Sequence, residues 1–396
     1  MSEQAAKTNT SCRKLNASEI AVIAVFLGFI AVFSLLLLFL PKHEGELSPN
    51  ERRVLAEAPS ATAENIFSGR FSKEVDSWLQ DHFPARSGFV AVYSYLNRAT
   101  GRNASEEVIL GSGDRLFERP IPVVDENIDY NVGRIRDFVA DKQLRAYTYI
   151  IPTGGYMLES ALPKPHLAYH DGEIIKRYDE AFAGSVTPIS AEDTLKAAGS
   201  VDELYYRTDH HLTMRGSYVS YCAIAKELGF EPLPESEFTK TGYDFYGTYY
   251  GRSGLFLLPP DTLETWVGSY DAALKVTIVE GENNTEYTGS LDETKLAADV
   301  ADKYAAYLYS NHGVTVIENP EAEGGSLLVV KDSYGNAIVP FLAAHYRTIV
   351  MLDLRTLYYG PFYETPTQLC EKYGVSDFLL LVGLDTVANG TLNWLR

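Results

Sequence analysis

Two short segments of the chain contain side chains that together suit the transfer of an acyl group. Asp209 and His211 are two positions apart, and side chains at i and i+2 of an extended segment leave the same face, so the carboxylate can orient the imidazole. Ser333 follows the apolar run 326–330, which is typical of a buried strand, and precedes 336–345, which predicts a short helix. A serine at a strand-to-helix turn is a recurrent nucleophile, and serine, histidine and aspartate are the parts of an acyl-transfer triad.

Each of these residues also has a purely structural interpretation. A serine just before a helix commonly caps it, so Ser333 is compatible with capping, and its neighbour Asp332 is interpreted as a cap or turn residue. Asp209 is compatible with a loop position before the helix that begins near Thr213, and His211 with a partly buried, hydrogen-bonded ring at a strand end. The residue types alone leave both interpretations open.

Asp209, His210 and His211 also form a run of potential metal ligands, since carboxylates and imidazoles bind zinc and iron. On a strand, however, contiguous side chains point in opposite directions, and no other cluster of histidine and cysteine in the sequence has ligand spacing. We therefore predict no metal site and no cofactor. His210 should face away from His211, which makes it a structural residue or a substrate contact.

Further polar residues are candidates for completing an oxyanion hole or for holding a substrate. Asn311 precedes a predicted strand and offers an amide, and Tyr334 adjoins the candidate serine. Thr153 follows the predicted strand 146–151, at a strand end of the kind where open α/β sheets bind ligands. Arg252 lies in a glycine- and tyrosine-rich segment, and tyrosines suit a sugar groove because they stack on sugar faces. Ordinary loop structure is the alternative for all of them.

The composition of the 396 residues is that of a globular protein. With 46% hydrophobic residues, the chain can bury one large core or two modest ones. The formal net charge of −19 argues against a nucleic-acid partner, since binding nucleic acid usually needs a basic surface. Three cysteines do not make a disulfide framework, and Cys222 and Cys370 can pair only if the fold brings them together.

Residues 20–40 contain no charge and one hydroxyl side chain, Ser34. At ~1.5 Å per residue, a helix of this length crosses a hydrocarbon core of ~30 Å. A secretory signal has a shorter apolar region and a small-residue cleavage site, whereas this run continues into Pro41 without one. We therefore predict an uncleaved membrane anchor. The predicted organisation is a tail, an anchor, a juxtamembrane linker and a folded domain, at residues 1–19, 20–40, 41–66 and 67–396.

Apolar periodicity predicts strands that alternate with helices. Strands are predicted at 146–151, 187–189, 314–317, 327–330, 348–352 and 378–382. Helices are predicted at 67–97 with a turn at 81–86, and at 128–140, 174–182, 214–228 and the second half of 291–308. A small hairpin is predicted at 108–117, and a loop or hairpin at 243–258. This alternation is typical of an α/β fold with a mostly parallel sheet covered on both faces.

The motifs resemble those of one family. Thr208-Asp209-His210-His211-Leu212-Thr213, with Gly216 soon after, resembles the D-x-H-W signature of the alginate O-acetyltransferase group, and more closely that of the DHHW proteins of Gram-positive bacteria. Lys331-Asp332-Ser333-Tyr334-Gly335-Asn336-Ala337 resembles the serine motif of this family, and 50–53, Phe71, 81–86 and 108–117 resemble its N-terminal region. Leu212 stands where the family usually has tryptophan, which leaves the three candidate residues intact.

The resemblance implies an SGNH-hydrolase-like, three-layer α/β/α domain after the transmembrane helix, with Ser333 as nucleophile, His211 as base and Asp209 as orienting acid. It implies O-acetyl transfer to an extracellular polysaccharide or another cell-envelope glycan, in systems where a membrane-bound O-acyltransferase commonly supplies the acetyl group. It also implies a tail inside the cell and a domain outside. This orientation rests on the resemblance, since the lysines and arginines flanking the span give only a weak positive-inside bias.

We therefore expect a membrane-anchored, extracytoplasmic O-acetyltransferase that passes through an acetyl-serine. An esterase with the same three residues is the first alternative, because the choice between water and a glycan hydroxyl depends on the dryness and shape of the site. A non-catalytic glycan-binding or scaffold protein of an envelope assembly complex is the second alternative, and a misplaced Ser333 would favour it.

Overall fold

The structure of the chain is a computed structural model that describes residues 16–48, 50, 54–103, 105, 107–280, 283–357, 364–390, 392, 393 and 395. It separates into two compact units. The smaller unit consists of Met1–Ser48 and Arg53–Val90, and the larger consists of Pro49–Arg52 and Ala91–Arg396.

The helices and strands are numbered in chain order. The helices are α1 Ala17–Phe39, α2 Ala63–Phe67, α3 Arg70–Asp81, α4 Arg86–Ala99, α5 Asp125–Lys142, α6 Gly154–Met157, α7 Asp171–Phe182, α8 Ala191–Ala197, α9 Met214–Glu227, α10 Thr248–Ser253, α11 Ser333–Leu342, α12 Leu354–Leu357, α13 Pro366–Tyr373 and α14 Leu384–Ala388. The strands are β1 Val108–Leu110, β2 Leu116–Glu118, β3 Arg145–Ile151, β4 Thr187–Pro188, β5 Phe238–Phe245, β6 Asp261–Gly268, β7 Lys275–Glu280, β8 Asn283–Thr288, β9 Val314–Glu318, β10 Gly324–Lys331, β11 Tyr346–Leu352 and β12 Asp377–Gly383.

The smaller unit is helical, and its most apolar element is α1. This helix begins at a capping box, in which Asn16 and Glu19 each bond the backbone amide of the other. Its mean hydropathy of 3.0 and its 23 residues are sufficient to cross a membrane, although a signal sequence meets the same criteria. The predicted turn at 81–86 divides α3 from α4, because Pro84 interrupts the helix and Ala85 takes a positive φ of 58°.

The larger unit is built on an eight-stranded sheet in the order β4-β3-β12-β10-β11-β9-β7-β8. The first five strands are mutually parallel, and the last three pairings are antiparallel. The sheet is therefore mixed, and the prediction of a mostly parallel sheet applies only to its first five strands. The hairpin of β7 and β8 was not predicted because β8 is an exposed, polar edge strand without an apolar pattern.

The hydrophobic core lies on both faces of this sheet. Along β10, Leu327 and Val329 belong to the hydrophobic cluster on one face of the sheet, and Leu328 and Val330 belong to the cluster on the other face. Helices α8, α9 and α11 contribute to the first cluster, whereas α5, α7, α13 and α14 contribute to the second. A strand buried on both faces needs apolar residues at every position, which explains why β10 and β12 have continuous apolar runs.

The predicted helix in the second half of 291–308 is wrong. The segment forms two short 3₁₀ turns, at Glu293–Leu296 and Lys303–Ala306, and then three successive residues with φ of 47°, 59° and 82°, Leu308–Ser310. Buried Lys303 donates its ammonium to the carbonyls of Ala298 and Val300, a local arrangement that replaces the hydrogen bonds of a helix. The segment 243–258, predicted as a loop or hairpin, contains the end of β5 and the connection to its antiparallel partner β6, and this connection also holds α10.

Cys222 and Cys370 are free thiols that belong to different parts of the core. Cys222 packs against the cluster on the α9 face of the sheet, and Cys370 belongs to the cluster on the α13 face. The sheet separates the two cysteines, so the fold does not bring them together for a disulfide bond.

Candidate active site

Ser333 occupies the first position of α11, directly after β10. The helix is capped by Asp332, whose Oδ1 accepts a hydrogen bond of 3.0 Å from the Tyr334 amide. Its Oδ2 accepts from the Gly383 amide and the Thr386 hydroxyl, both at 2.7 Å, which ties the cap to the end of β12. Because Asp332 supplies the cap, the Ser333 hydroxyl is not needed for capping.

The hydroxyl of Ser333 instead lies against His211. Oγ of Ser333 is 2.7 Å from Nε2 of His211, and Nδ1 of the same ring is 2.6 Å from Oδ1 of Asp209. Asp209 is 3% exposed and His211 is 5% exposed, while Ser333 is partly open to solvent. The three residues therefore form one continuous chain of hydrogen bonds that ends at the hydroxyl of a partly exposed serine.

Donors from His211 and Thr248 hold the carboxylate of Asp209, and Nδ1 of His210 lies 3.4 Å from its Oδ1. Oδ1 accepts from the His211 backbone amide at 3.0 Å in addition to the His211 ring, and Oδ2 accepts from the Thr248 amide at 2.6 Å. The two residues i and i+2 meet in a short loop that begins α9, with Thr213 as the helix cap. The expected pairing of Asp209 with His211 is thus present in the geometry.

Gly247 approaches this loop so closely that only a glycine fits. A Cβ at position 247 would lie 2.3 Å from Cβ of Asp209 and 2.3 Å from the carbonyl oxygen of Thr208. Its amide also donates to the Thr208 hydroxyl at 3.0 Å. The residue type was not singled out in the sequence, because the approach joins segments 38 residues apart.

We expect Gly247→Ala to impair ester chemistry by displacing Asp209. A displacement of about 1 Å at a reacting group costs about 10²-fold in rate, so kcat for acetyl-ester turnover should fall by roughly that factor. The matched control is Gly133→Ala on α5, where a new Cβ meets nothing within 4 Å. Steady-state kinetics on both variants checks the prediction, and equal kcat values for the two would contradict it.

A buried arginine, Arg115, holds the segment that precedes Asp209. The guanidinium of Arg115 donates to the carbonyl oxygens of Tyr205 and Tyr206 at 3.0 Å each and to that of Asp202 at 2.6 Å. Burial lowers the pKa of Arg115, although the group stays charged in this all-acceptor setting. Since its partners are backbone atoms about 90 positions away, no local sequence pattern identifies this positioning role.

Aromatic rings enclose the imidazole of His211. The Tyr304 ring stacks on it with centroids 3.8 Å apart and an interplanar angle of 14°, and the Tyr334 ring meets it edge-on at 5.0 Å. The His210 ring lies 3.8 Å away at 36°, so the two histidines are neighbours and do not point to opposite sides as expected. Burial raises the pKa of Tyr304 and Tyr334 well above the usual value, so both rings remain neutral.

Two of the predicted substrate residues have structural partners instead. The Tyr334 hydroxyl donates to the His210 carbonyl at 2.6 Å, which fixes the loop and leaves that hydroxyl engaged. Thr153 caps α6, and its hydroxyl also donates to the buried Asp171 carboxylate at 2.6 Å. Both side chains are buried and their hydroxyls support the site, and substrate contact by either residue stays a prediction.

The remaining predicted substrate residues are more exposed. His210 keeps 35% of its side chain exposed next to the candidate triad. Asn311 accepts hydrogen bonds on Oδ1 from Lys331 and Asn336, which places it beside α11, and the described residues show no hydrogen bond between Asn311 and Ser333. Arg252 is exposed and forms a 3.7 Å ion pair with Glu107, away from the hydrogen-bond chain. Of the five, His210 alone has an accessible side chain against the His211 ring.

A buried lysine connects the strand ends beneath Ser333. Nζ of Lys331 donates to Asn336 at 2.7 Å and to Asn311 at 3.0 Å, and lies 3.6 Å from the Asp353 carboxylate. Asp353 is also held by the Arg355 guanidinium at 2.7 and 2.9 Å. Burial lowers the pKa of Lys331 to about 8 despite the nearby Asp353 charge. Burial would raise the pKa of Asp353, but Arg355 and Lys331 hold it below the usual value.

We expect Lys331→Met to destabilise the protein by about 3 kcal/mol, because removing one partner leaves two amides and a buried carboxylate short of a donor. Arg355 still neutralises Asp353, so the loss falls at the lower end of the range for broken buried pairs. Denaturant titration measures the change, with exposed Lys176→Met as the control. A loss as small as that of the control would contradict the prediction.

The stability difference between the wild type and Lys331→Met is expected to change with pH in a defined direction. Lys331 has a pKa of about 8 in the folded protein and an ordinary value of 10.5, so the unfolded chain binds more protons between these values. The contribution of Lys331 to stability therefore rises with pH from about 8 to 10.5. We expect the stability advantage of the wild type over Lys331→Met to be larger at about pH 9 than at about pH 7.

The run Asp209, His210 and His211 is also the group of potential metal ligands among the described residues, with donor atoms within 4.8 Å of one another. The 2.6 Å separation of Asp209 Oδ1 and His211 Nδ1 is a hydrogen-bond distance, whereas two ligands of one zinc ion each lie ~2.0–2.2 Å from the metal and stay further apart. His211 Nε2 is engaged with Ser333. The donor set therefore fits a hydrogen-bonded pair better than a metal site.

The fold and the site define an α/β protein with a serine, histidine and aspartate joined by hydrogen bonds at the carboxyl edge of a mixed sheet. Residues 193–352, which include all three side chains, match the family model described as DHHW protein. The comparison with curated protein sequences gives no match.

Several solved structures are similar to this chain. PatB1 of Bacillus cereus has a TM-score of 0.61 and 20% identity, over 73% of this chain and 100% of that chain. PatB1 with a sulfonyl adduct has a TM-score of 0.61 and 19% identity, over 74% and 99%. A DHHW family protein from Eubacterium siraeum DSM 15702 has a TM-score of 0.59 and 19% identity, over 73% and 93%. At these identities the likeness establishes a shared fold.

Proposed function

We propose that this protein is a membrane-anchored, extracytoplasmic O-acetyltransferase that modifies a glycan of the cell envelope or an exported polysaccharide. The observation that carries the proposal is the unbroken hydrogen-bond chain from Asp209 through His211 to the hydroxyl of Ser333, a partly exposed residue. The resemblance of the two motifs to the alginate O-acetyltransferase group supports acetyl transfer as the reaction. The proposed domain is SGNH-hydrolase-like, with helices layered on both faces of the sheet.

In the proposed first step, Ser333 Oγ attacks the carbonyl carbon of an acetyl ester while His211 Nε2 takes the hydroxyl proton. Asp209 stabilises the imidazolium through Nδ1. The oxyanion forms near the start of α11, where the Ser333 amide is used by no hydrogen bond of the described residues and benefits from the positive end of the helix. Collapse breaks the ester bond, the leaving alcohol receives the proton, and acetyl-Ser333 remains.

In the proposed second step, a glycan hydroxyl replaces the departed alcohol. His211 removes its proton, the oxygen attacks acetyl-Ser333, and the Ser333 oxygen recovers the proton as the acetylated glycan leaves. The sum of the two steps moves one acetyl group and consumes no water. Enclosure of the His211 ring by Tyr304 and Tyr334 supports transfer to a glycan over hydrolysis, because the rings restrict water around the base.

The proposed setting follows from α1 and from the resemblance. Residues 20–40 anchor the chain, the tail 1–19 lies in the cytoplasm, and the domain lies outside. A membrane-bound O-acyltransferase in the same membrane is the proposed source of the acetyl group, and the glycan is the acceptor. The similar PatB1 structure with a sulfonyl adduct suggests a probe for this chain: we expect an arylsulfonyl fluoride to modify Ser333.

The test uses the full chain in detergent micelles with a chromogenic acetyl ester, in the presence and absence of chito- and cello-oligosaccharides. Intact mass detects acetyl-Ser333, peptide mapping detects the sulfonyl label, and mass spectrometry detects acetylated oligosaccharide. Ser333→Ala is the control that should carry neither modification. Acetyl groups on the oligosaccharide support the transferase.

Two results would replace the proposal. Ester turnover that depends on Ser333 but yields only acetate, whatever oligosaccharide is present, would favour the esterase. A folded protein that neither turns over the ester nor forms an acyl- or sulfonyl-enzyme would favour the glycan-binding or scaffold function.

A further inference from the structure

The turn between α3 and α4 belongs to the smaller unit and plays no part in the proposed chemistry. We call residues 81–89 the wedge segment. Its two phenylalanines contact α1, the helix proposed as the anchor. The Phe83 ring stacks on Phe33 with centroids 5.2 Å apart and planes parallel to within 2°, and the Phe89 ring lies 5.6 Å from Phe33 and 6.5 Å from Phe29.

The position of Phe33 along α1 gives the depth of these contacts. Phe33 is seven residues before Leu40, the end of the apolar run, which corresponds to ~10 Å along a helix axis. The hydrocarbon core is ~30 Å thick, so half of it is ~15 Å. If residues 20–40 span the core, the rings of Phe83 and Phe89 lie within the outer half of the hydrocarbon.

A second contact indicates where α3 lies relative to the membrane surface. The Trp78 indole donates to the Glu44 carboxylate at 2.7 Å, and the Lys42 ammonium lies 5.9 Å above the same ring. Lys42 and Glu44 directly follow the apolar run, and tryptophan and lysine are typical of the membrane–water interface. Trp78 therefore marks the interface, and Phe83, five residues later, lies deeper.

The surface of the smaller unit matches this position. Phe67 is 90% exposed, Ile66 is 51% exposed, Phe89 is 45% exposed and Leu79 is 40% exposed, although a water-soluble helical hairpin would bury such side chains. The Asp81 carboxylate, at the start of the segment, accepts a hydrogen bond from the Ala56 amide at 2.8 Å.

We propose that the wedge segment inserts into the outer leaflet beside α1, so that lipid hydrocarbon covers Phe83 and Phe89. This inference rests on the proposed anchoring of the chain through residues 20–40. It assigns the Asp81-His82-Phe83-Pro84-Ala85-Arg86 motif to membrane contact and gives the chain two points of attachment to the bilayer. Two attachments limit rotation of the smaller unit about the axis of α1, which a single helix permits.

The test measures tryptophan quenching by brominated phosphatidylcholine with the full chain in lipid nanodiscs. Trp78, Trp266 and Trp394 are replaced by phenylalanine, and one tryptophan is introduced as Phe83→Trp or, in a second variant, as Phe89→Trp. Lipids brominated at mid-chain are expected to remove most of the emission of both. Trp78 retained alone should respond more to bromine near the headgroup, and Trp266, in the core of the larger unit, should not respond.

A Val32→Trp variant separates failure of the wedge from failure of the anchor, because Val32 is 53% exposed on α1 next to Phe33. Quenching of Val32→Trp without quenching of Phe83→Trp and Phe89→Trp would overturn the wedge and leave the anchor standing. Absence of quenching in all three would overturn both. Quenching of all three, with thermal unfolding at the wild-type temperature, supports the inference.

Discussion

Ser333→Ala and His211→Ala are each expected to lower kcat for acetyl-ester turnover by on the order of 10⁴–10⁶-fold. The two groups act on the same proton, since Oγ of Ser333 lies 2.7 Å from Nε2 of His211. Removing either one therefore removes the activated nucleophile as a unit. For the same reason, the double variant should be about as inactive as each single variant, which is the signature of residues that work together.

Steady-state kinetics with a chromogenic acetyl ester checks this result against two surface controls, Ser112→Ala and His170→Ala, which should retain wild-type rates. Both control side chains are exposed. Losses that multiply in the double variant would mean that Ser333 and His211 act independently. Wild-type turnover by folded Ser333→Ala would exclude Ser333 as the nucleophile.

The second large effect is expected for Asp209→Asn, at about 10⁴-fold in kcat. The carboxylate accepts hydrogen bonds on Oδ1 from the amide and ring of His211 and on Oδ2 from the Thr248 amide. Asparagine has a single carbonyl oxygen, so its NH₂ group must face a donor on one side. If the oxygen stays with Thr248, the NH₂ faces Nδ1 of His211 and forces the proton onto Nε2, which removes the lone pair that Ser333 needs.

The tautomer of His211 provides a readout that a simple loss of stability would not change. In the wild type, nitrogen NMR of the imidazole should show the proton on Nδ1, and in Asp209→Asn it should show the proton on Nε2. The variant should also form acetyl-enzyme slowly while unfolding near the wild-type denaturant midpoint. An unchanged tautomer together with a near-normal rate would remove Asp209 from the proposed mechanism.

The central strands of the sheet could be predicted from the sequence because they are buried on both faces. β3, β10, β11 and β12 are central strands with continuous apolar runs, and their positions agree with the predicted runs to within a few residues. The candidate triad could also be proposed from the sequence, because Asp209 and His211 are close to each other in the chain and Ser333 follows an apolar strand. These are patterns that a short window of residues contains.

The parts that could not be predicted depend on contacts between distant segments. β8 is an edge strand whose residues are all exposed, so its place in the sheet comes from pairing with β7 and not from an apolar pattern. Gly247 packs against Asp209 and Thr208, and Arg115 donates to the Tyr205 carbonyl. Both residues are distant from these partners in the chain, so no short stretch of sequence reveals the contacts. The hydrogen-bond partners of Thr153 and Tyr334, the Asp171 carboxylate and the His210 carbonyl, likewise come from other segments of the chain.

The order of the central strands has a consequence for the newly made chain. β12, the last strand of the sequence, lies between β3 and β10, and its end supplies the Gly383 amide that holds Asp332 beside Ser333. The centre of the sheet therefore closes only after residues 377–383 have been synthesised, although all three proposed catalytic residues emerge earlier. A nascent or C-terminally shortened chain should lack ester chemistry, which would delay the proposed acetyl transfer until translation is nearly complete.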